Sequence, residues 1–359
     1  MNNDPQTRRM SGKRQFLWNL VFIAIAVLSV WVVTTQAKGF SPKRFASYLE
    51  NANLWYIGAA AFMMLSYIFV GALAVLCLLK GFGYRRSLPD GLSYVAADLY
   101  FSAITPSATG GQPVEGYLMV KDGIPAVVST VTLLTNLLLY TLSIVVIGIL
   151  GFLICPSAFL RFGTFSRVLI IIGAGIQLLL ALLYAMLLWK KQLLHRICSW
   201  VLRVLKKLHL LRNPERKQNR LDQIMNRYGQ TTEMIMGKRS LLLKGLLLNT
   251  AHRACQILVT VLCFLAGGGS LRQAPAIFAM QCSVVIGACC IPIPGSMGVT
   301  DFLMLDGFSS LMSEQQSANL ELLARALSFY ICILLCGLIV LVKYAMLRLR
   351  KNQIGRAHV

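Results

Sequence analysis

The chain has 359 residues, of which 57% are hydrophobic and only 13% charged, and it carries a formal net charge of +22. This composition leaves too little polar surface to cover a soluble globule, so it excludes a soluble enzyme and predicts an all-α polytopic membrane bundle. The basic residues lie in a few segments between apolar runs, which indicates contact with an anionic membrane surface and no nucleic-acid partner.

Six apolar runs have about the length that crosses ~30 Å of hydrocarbon. They are residues 16–33, 54–79, 124–154, 168–188, 245–266 and 326–342. The first run follows a basic N-terminal segment. Its length, and the spans behind it, favour a retained signal anchor over a cleaved signal.

Two further apolar segments, 92–119 and 274–304, are interrupted by proline and glycine. The first break holds Pro106, Gly110, Gly111, Gln112 and Pro113, and the second holds Pro292, Pro294 and Gly295. Because proline removes a donor and glycine frees the backbone, neither segment is expected to form one continuous helix. We predict two re-entrant pairs of half-helices, each returning to the side it came from. The alternative is that the breaks only kink ordinary spanning helices.

The positive-inside rule orients this path. Lys and Arg are dense in the N-terminal tail, in residues 80–86 and 190–239, and in the C-terminal tail, so these segments are expected in the cytoplasm. Both termini then lie on the cytoplasmic side of a bacterial-type inner cell membrane. Two kinked single crossings would instead place residues 190–239 outside, which is why we prefer re-entrant pairs.

The same path divides the chain into two halves of one plan (helix, helix, broken pair, helix) with opposite orientation. Residues 1–154 form the first half, and residues 155–189 with 240–347 form the second. Residues 190–239 are a basic cytoplasmic loop, and 348–359 are a cytoplasmic tail. In transporters, inverted halves meet around a site near the membrane midplane, lined by the ends of broken helices.

The basic loop contains apolar residues at helical spacing over 190–212. This pattern is typical of an amphipathic helix on the anionic inner leaflet, although a solvated loop fits it as well. Residues 213–237 are interpreted as a polar linker.

Ionisable groups inside membrane segments are the leading site candidates. Asn249, His252, Arg253 and Gln256 are spaced by three and four residues and share one helix face. This face either holds an anionic group through Arg253 or satisfies itself against neighbouring helices. A milder stripe, for which we expect a packing role, comprises Ser129, Thr132, Asn136, Tyr140 and Ser143.

The first break is flanked by Asp98 and Glu115. Its glycines would let backbone N–H groups approach an anion such as a lipid phosphate at the start of a half-helix. Asp98 would pair across the interface, with Arg253 as the candidate partner. Asp301 follows the second break, and Arg325 is expected to anchor the start of the last helix.

Several chemical signatures are missing from the sequence. There is no phosphate loop, no G-x-S-x-G, no H-E-x-x-H and no dinucleotide fingerprint. The ten cysteines form no C-x-x-C pair and are interpreted as small buried hydrophobes. We therefore expect no cofactor, no metal and no catalytic residues.

Two runs carry a family resemblance: T-P-S-A-T-G-G-Q-P at 105–113 and P-I-P-G-S-M-G-V at 292–299. With them the whole chain resembles the flippase-like family named after the membrane region of lysylphosphatidylglycerol synthase. Ser296 and Asp301 stand where many members have glycine and glutamate, which leaves the role of the second run open.

The resemblance implies a lipid translocase that moves an anionic or aminoacylated phospholipid, or a polyprenyl-phosphate lipid, between leaflets. It also implies an alternative, a phosphatidylglycerol lysyltransferase linked to resistance against cationic antimicrobial peptides, for which lysyl-tRNA would be needed. The chain is expected to lack that transferase domain. Expected partners are phospholipids and the inner-leaflet surface, and a separate cytoplasmic lipid-modifying enzyme is a further candidate. A third interpretation is a scaffold that docks a partner on its basic loop.

Overall fold

The computed structural model describes residues 50–356 except 51, 106–109, 191, 193, 197–198, 201–202, 205–213 and 291–297. This described part is helical and contains no strand. Its α-helices are α1 (Leu54–Gly81), α2 (Leu88–Ile104), α3 (Gly111–Lys121), α4 (Ala126–Ile154), α5 (Ser157–Leu160), α6 (Thr164–Trp189), α7 (Pro214–Met236), α8 (Arg239–Ala266), α9 (Ala274–Gly287), α10 (Val299–Phe308), α11 (Glu314–Arg325) and α12 (Cys332–Arg356). A 3₁₀ turn, Ala288–Cys290, follows α9, and a π-helical turn, Ala326–Ile331, joins α11 to α12.

Five helices in the described residues are long and apolar enough to cross a membrane. They are α1, α4, α6, α8 and the continuous helix Glu314–Leu347, and they correspond to five of the six predicted runs. Three begin earlier than predicted, α6 at Thr164, α8 at Arg239 and the last helix at Glu314, because each adds residues that include polar or charged side chains before its apolar run. The predicted span 16–33 lies outside the described residues.

Glycines with positive φ mark where three helices stop. Gly83, Gly123 and Gly268 follow α1, α3 and α8 with φ of 84°, 87° and 84°. Glycine adopts this left-handed conformation without the steric penalty of a Cβ atom, so it ends a helix and redirects the chain. The turn after Gly83 leads into α2, whose start is fixed by a capping box between Ser87 and Asp90.

Among the described residues, Lys238 and residues 80–86 lie at one end of the bundle, which we call the basic end. There Lys238, before α8, donates to the carbonyl oxygen of Gly81 at the end of α1. At the opposite end the amide of Asn53, before α1, donates to the carbonyl oxygen of Ala266 at 2.9 Å. The neighbouring helices α1 and α8 are therefore antiparallel.

Helices α2 and α3 form a hairpin. Tyr94, near the start of α2, donates to Asp122, just after α3, at 2.7 Å. Lys343 of α12 binds Asp90 at 2.7 Å and Asp122 at 2.9 Å. Both outer ends of the hairpin thus meet at the basic end, as predicted for a broken pair that returns to its own side. We call this group, Lys343 with Asp90 and Asp122, the clamp.

Helices α9 and α10 form the second hairpin, whose outer ends lie at the opposite end of the bundle. Helix α9 packs against the short helix α5, and Asp306 near the end of α10 accepts from the Gly163 amide at 2.8 Å. The structure confirms that this predicted segment is not one continuous helix, because it contains two separate short helices. Its proline-containing loop lies outside the described residues.

Each hairpin packs on a long helix from the other end of the chain. Helix α2 packs against α12, where a Cβ atom at Gly337 would lie 2.8 Å from the Tyr100 ring. Helix α9 packs against α4, where a Cβ atom at Gly151 would lie 2.8 Å from that of Cys282. Glycine at both contacts lets the helix backbones approach closely.

The predicted linker 213–237 is wrong in its structure, because most of it forms helix α7. The buried face of α7 includes Met225, Tyr228 and Ile235, which join an apolar cluster with the ends of α4 and α6. The Tyr228 hydroxyl donates to the carbonyl oxygen of Leu187 at 3.0 Å. The polar composition of the segment hid this single apolar stripe. In the preceding segment, the described residues among 192–204 are helical.

Replacing Ile235 with alanine should release α7 from the bundle. Ile235 is fully buried, and removing such a side chain costs about 2–4 kcal/mol. We expect trypsin to cleave α7 at least tenfold faster in this variant, since cleavage follows local opening. Ile224→Ala is the matched control, because Ile224 lies on the same helix but is 38% exposed. Equal cleavage of the two variants would show that α7 does not depend on this contact.

Candidate functional site

A cavity of about 310 Å³ lies inside the bundle, between the two hairpins. Its walls come from α1, α2, α4, α6, α8, α9, α10 and the last helix. Its polar lining includes Gln177, Gln256, Gln281, Thr300, Ser102 and Tyr140. Among the described residues that line it, only Arg253 and Arg325 are charged. The cavity is therefore a positively charged chamber surrounded by apolar helices.

Arg253 of α8 is 7% exposed. One guanidinium nitrogen donates to Gln256 on the next turn, and the guanidinium carbon lies 4.5 Å from the centre of the Tyr140 ring. Its Nε atom is buried without a hydrogen-bond partner. No carboxylate within the described part of the chain forms an ion pair with Arg253. A buried guanidinium with an unused donor is suited to a planar or tetrahedral oxyanion.

Arg325 is the second charge in the cavity and is 8% exposed. Its Nε atom lies 2.9 Å from Asp301 Oδ1, and its Nη2 atom is buried without a partner. The expectation that Arg325 anchors a helix end is wrong, because the helix starts at Glu314 and Arg325 is buried inside it. The π-helical turn starts at the next residue, and such turns often occur at functional sites.

The predicted polar face on α8 divides between two roles. Arg253 and Gln256 line the cavity. Asn249 instead donates to Asn136 of α4 at 3.1 Å, and His252 bonds the Tyr67 carbonyl oxygen at 2.6 Å while its ring stacks on that of Tyr67. The packing alternative therefore holds for Asn249 and His252, whereas anion binding through Arg253 stays a prediction.

The two glycines of the first motif, residues 105–113, let α2 and α3 pack closely in their hairpin. The Gly110 amide donates to Thr105 Oγ1 at 2.9 Å, so it is already bonded within the hairpin. A Cβ atom at Gly111 would lie 2.5 Å from the Asp98 carbonyl oxygen. Pro113 is exposed, and Pro106 lies outside the described residues. The structure gives both glycines a packing role, and head-group contact through them stays a prediction.

Replacing Gly111 with alanine should push α3 away from α2. The added methyl group would overlap backbone and side-chain atoms of Asp98, and overpacking of this kind costs about 1–3 kcal/mol or more. We expect less folded protein after heating in detergent, measured by size-exclusion chromatography. Gly58→Ala is the control, because no atom lies within 4 Å of a Cβ at that position. Equal heat resistance of the two variants would contradict the close contact.

The predicted pair of Asp98 with Arg253 is wrong. Asp98 Oδ1 instead accepts from Gln112 Nε2 at 3.1 Å and from Ser102 Oγ at 3.3 Å. Ser102 also lines the cavity, whereas Asp98, Gln112 and Glu115 do not. Asp98 and Arg253 are on different helices. Asp98 finds its hydrogen-bond partners within the α2–α3 hairpin and does not line the cavity.

The second motif is described only from Gly298 onward. Asp301 accepts from the Gly298 amide at 3.0 Å, which caps α10, and also binds Arg325. It therefore holds Arg325 in place at the edge of the cavity. Pro292, Pro294 and Gly295, also predicted for the site, lie outside the described residues.

Some lining residues were missed by the sequence reasoning. Gln177 of α6 donates to Cys289 at 2.8 Å, and the Oε1 atom of Gln281 in α9 is buried without a partner. Each is a glutamine within an otherwise largely apolar helix, a signal that could have identified it. Tyr140, assigned to packing, contributes its ring to Arg253.

The two aspartates of the clamp lie outside the candidate spans, and Lys343 of the last span neutralises their charge. Burial alone would raise the pKa of Asp90, but hydrogen bonds from Lys343 and Ser87 outweigh it, so this pKa lies below its ordinary value. Asp90 therefore stays ionised at neutral pH. Its contribution to stability is present above the ordinary aspartate range and is lost as the pH falls through the lowered pKa.

Fold and cavity together define a polytopic helical membrane protein that buries two arginines between hairpins of short helices. Within that class, the chain belongs to the family of the lysylphosphatidylglycerol synthase TM region, whose model matches residues 19–336. That match includes all the described residues that line the cavity, and it confirms the family resemblance. No curated protein matches the chain.

Proposed function

We propose that the chain is a lipid translocase whose cavity holds an anionic head group while it passes between leaflets. One observation carries this proposal: Arg253 and Arg325 face one buried cavity, and each keeps an unused donor nitrogen. Asp301 already neutralises Arg325, but Arg253 has no carboxylate partner among the described residues, and burying such a cation in a membrane bundle is costly unless an anion joins it. A phosphate group supplies that charge and accepts several hydrogen bonds at once.

The size of the cavity limits what enters it. A volume of about 310 Å³ lies at the lower end of small-ligand sites and suits a phosphate-bearing head group, not a whole lipid. The acyl chains would remain in the bilayer. Candidate cargoes are an anionic or aminoacylated phospholipid and a polyprenyl-phosphate lipid, because all of them present a phosphate.

The packing pattern supports an inverted repeat around this site. The first hairpin packs on α12 and the second on α4, the last helix of each predicted half. Helices α1 and α8, which hold equivalent places in the two halves, lie side by side and antiparallel. Halves of opposite orientation that exchange hairpins enclose a central site, as alternating access requires. With the basic end in the cytoplasm, the end of α12 lies inside, as the positive-inside rule predicts for the C-terminal tail.

The test is lipid movement in proteoliposomes. A head-group-labelled phosphatidylglycerol is placed in vesicles with the purified chain, and an impermeant quencher reports exposure at the outer leaflet. We expect faster exchange than in protein-free vesicles, and slower exchange for a labelled lipid that has no phosphate group. Absence of protein-dependent movement would overturn the proposal. Formation of lysyl-lipid by this chain alone would instead favour the lysyltransferase alternative.

A further inference from the structure

The α2–α3 hairpin holds two carboxyl groups on facing surfaces, of which Glu115 is buried and Asp98 is partly buried. A Cβ atom at Gly111 would lie 2.3 Å from Asp98 Oδ1, so this face of α3 rests directly on Asp98. Glu115 follows Gly111 by four residues and therefore shares that face. Asp98 and Glu115 interact electrostatically across the hairpin. Two acidic groups thus lie close together in a segment enclosed by apolar helices.

The two carboxyl groups have different surroundings. Asp98 accepts hydrogen bonds from Gln112 and Ser102, which favour its ionised form. Glu115 is 1% exposed, and its Oε1 atom is buried without a partner. Neither carboxyl forms an ion pair with a Lys, Arg or His among the described residues. Asp98 also interacts electrostatically with Tyr67 of α1 and with Cys336 of α12.

From this geometry we infer that Glu115 is a proton-binding site, protonated beside an ionised Asp98. A buried carboxylate that has no cation partner, has one oxygen without a donor and lies next to another negative charge is strongly disfavoured in a low-dielectric setting. Uptake of one proton on a Glu115 oxygen removes that charge. No other group needs to move or to change its oxidation state. The asymmetry between the two acids decides which one holds the proton.

The hairpin also connects this proton to the cavity. Ser102 donates to Asp98 and lines the same cavity as Arg253 and Arg325. Loss of the proton from Glu115 would place two negative charges between α2 and α3 and favour their separation. That separation would move the cavity wall formed by Leu99, Ser102 and Ala103. Proton binding would thereby be coupled to head-group movement, a consequence that rests on the proposed function.

Infrared spectroscopy tests the proton site without any transport. In nanodiscs at neutral pH, the wild-type chain should show a protonated-carboxyl C=O band with a component that Glu115→Gln removes. Glu314→Gln is the control and should keep this component, because Glu314 is exposed at the start of α11. The inference is overturned if the wild-type spectrum and the Glu115→Gln spectrum are the same in this region.

Vesicles with an imposed pH difference test the coupling. Movement of labelled phosphatidylglycerol by the wild type should change at least threefold when the gradient is applied, and Glu115→Gln should still move lipid without that response. If lipid movement by the wild type does not respond to the pH gradient but responds to a Na⁺ gradient, the coupled ion is Na⁺ and the inference is overturned. Movement that ignores both gradients would overturn coupling while leaving the translocase in place. If the wild type moves no lipid, the proposed function fails, and the infrared result alone decides the proton site.

Discussion

Replacing Arg253 with glutamine is expected to weaken binding of an anionic head group about 10- to 150-fold. A hydrogen bond to a charged group contributes about 1.5–3 kcal/mol, and each 1.4 kcal/mol is about tenfold in affinity. Arg253 has no carboxylate partner among the described residues, so its removal leaves no opposite charge stranded. The measurement is the initial rate of exchange against the mole fraction of labelled phosphatidylglycerol, which yields a half-saturating value.

The control for Arg253→Gln is Arg272→Gln. Arg272 is exposed in the loop after α8, so the same change in charge occurs away from the cavity. We expect this control to behave as the wild type. A loss of equal size in both variants, or an Arg253→Gln loss that is the same for a labelled lipid that has no phosphate group, would contradict head-group binding by Arg253. Arg325→Gln is expected to show a smaller loss than Arg253→Gln, since Asp301 already occupies one face of Arg325.

Replacing Lys343 with methionine should destabilise the bundle by about 3 kcal/mol. The change leaves Asp90 and Asp122 facing each other without a cation, and breaking a fully buried pair costs about 3–5 kcal/mol. Asp90 is 26% exposed, which places the effect at the lower end of that range. The measurement is the temperature at which half of the detergent-solubilised protein is lost from the size-exclusion peak.

Two further variants isolate the role of the clamp. Lys244→Met changes a lysine that is exposed on α8, and we expect it to keep the wild-type midpoint. Adding Asp90→Asn and Asp122→Asn to Lys343→Met should recover part of the loss, because no stranded charge remains. Without such recovery, the effect of Lys343 would come from packing and not from its charge.

Hydropathy and the Pro–Gly breaks predict most of the fold of this chain. Spans need long apolar runs, and half-helices need residues that interrupt hydrogen bonding, so both leave direct traces in the sequence. Helix α7 leaves a weaker trace, because a helix that covers the end of a bundle needs only one apolar stripe. Tyr228 and Ile235 belong to such a stripe within a strongly polar segment.

The sequence predicted the kind of side chain at the candidate site, a buried arginine, but not which other residues line the cavity. Arg253 stands out as a charge within an apolar helix, whereas Arg325 lies next to the start of an apolar run and looks like an interfacial residue. Its burial depends on where α11 begins, which the hydropathy pattern does not reveal. The partners of Asp98 likewise depend on how closely α3 approaches α2, and Gly111 sets that distance.

The clamp has a consequence for how the protein is made. Asp90 and Lys343 are 253 residues apart in sequence, so the ribosome completes almost the whole membrane region before the lysine exists. At about 5–20 residues per second, the two aspartates wait roughly 10 to 50 s for their cation. Throughout that interval the first hairpin packs only against helices that precede Lys343 in the chain. A nascent chain that stalls before Lys343 would leave these acids exposed at the basic end, where quality-control proteases could recognise it as unfinished.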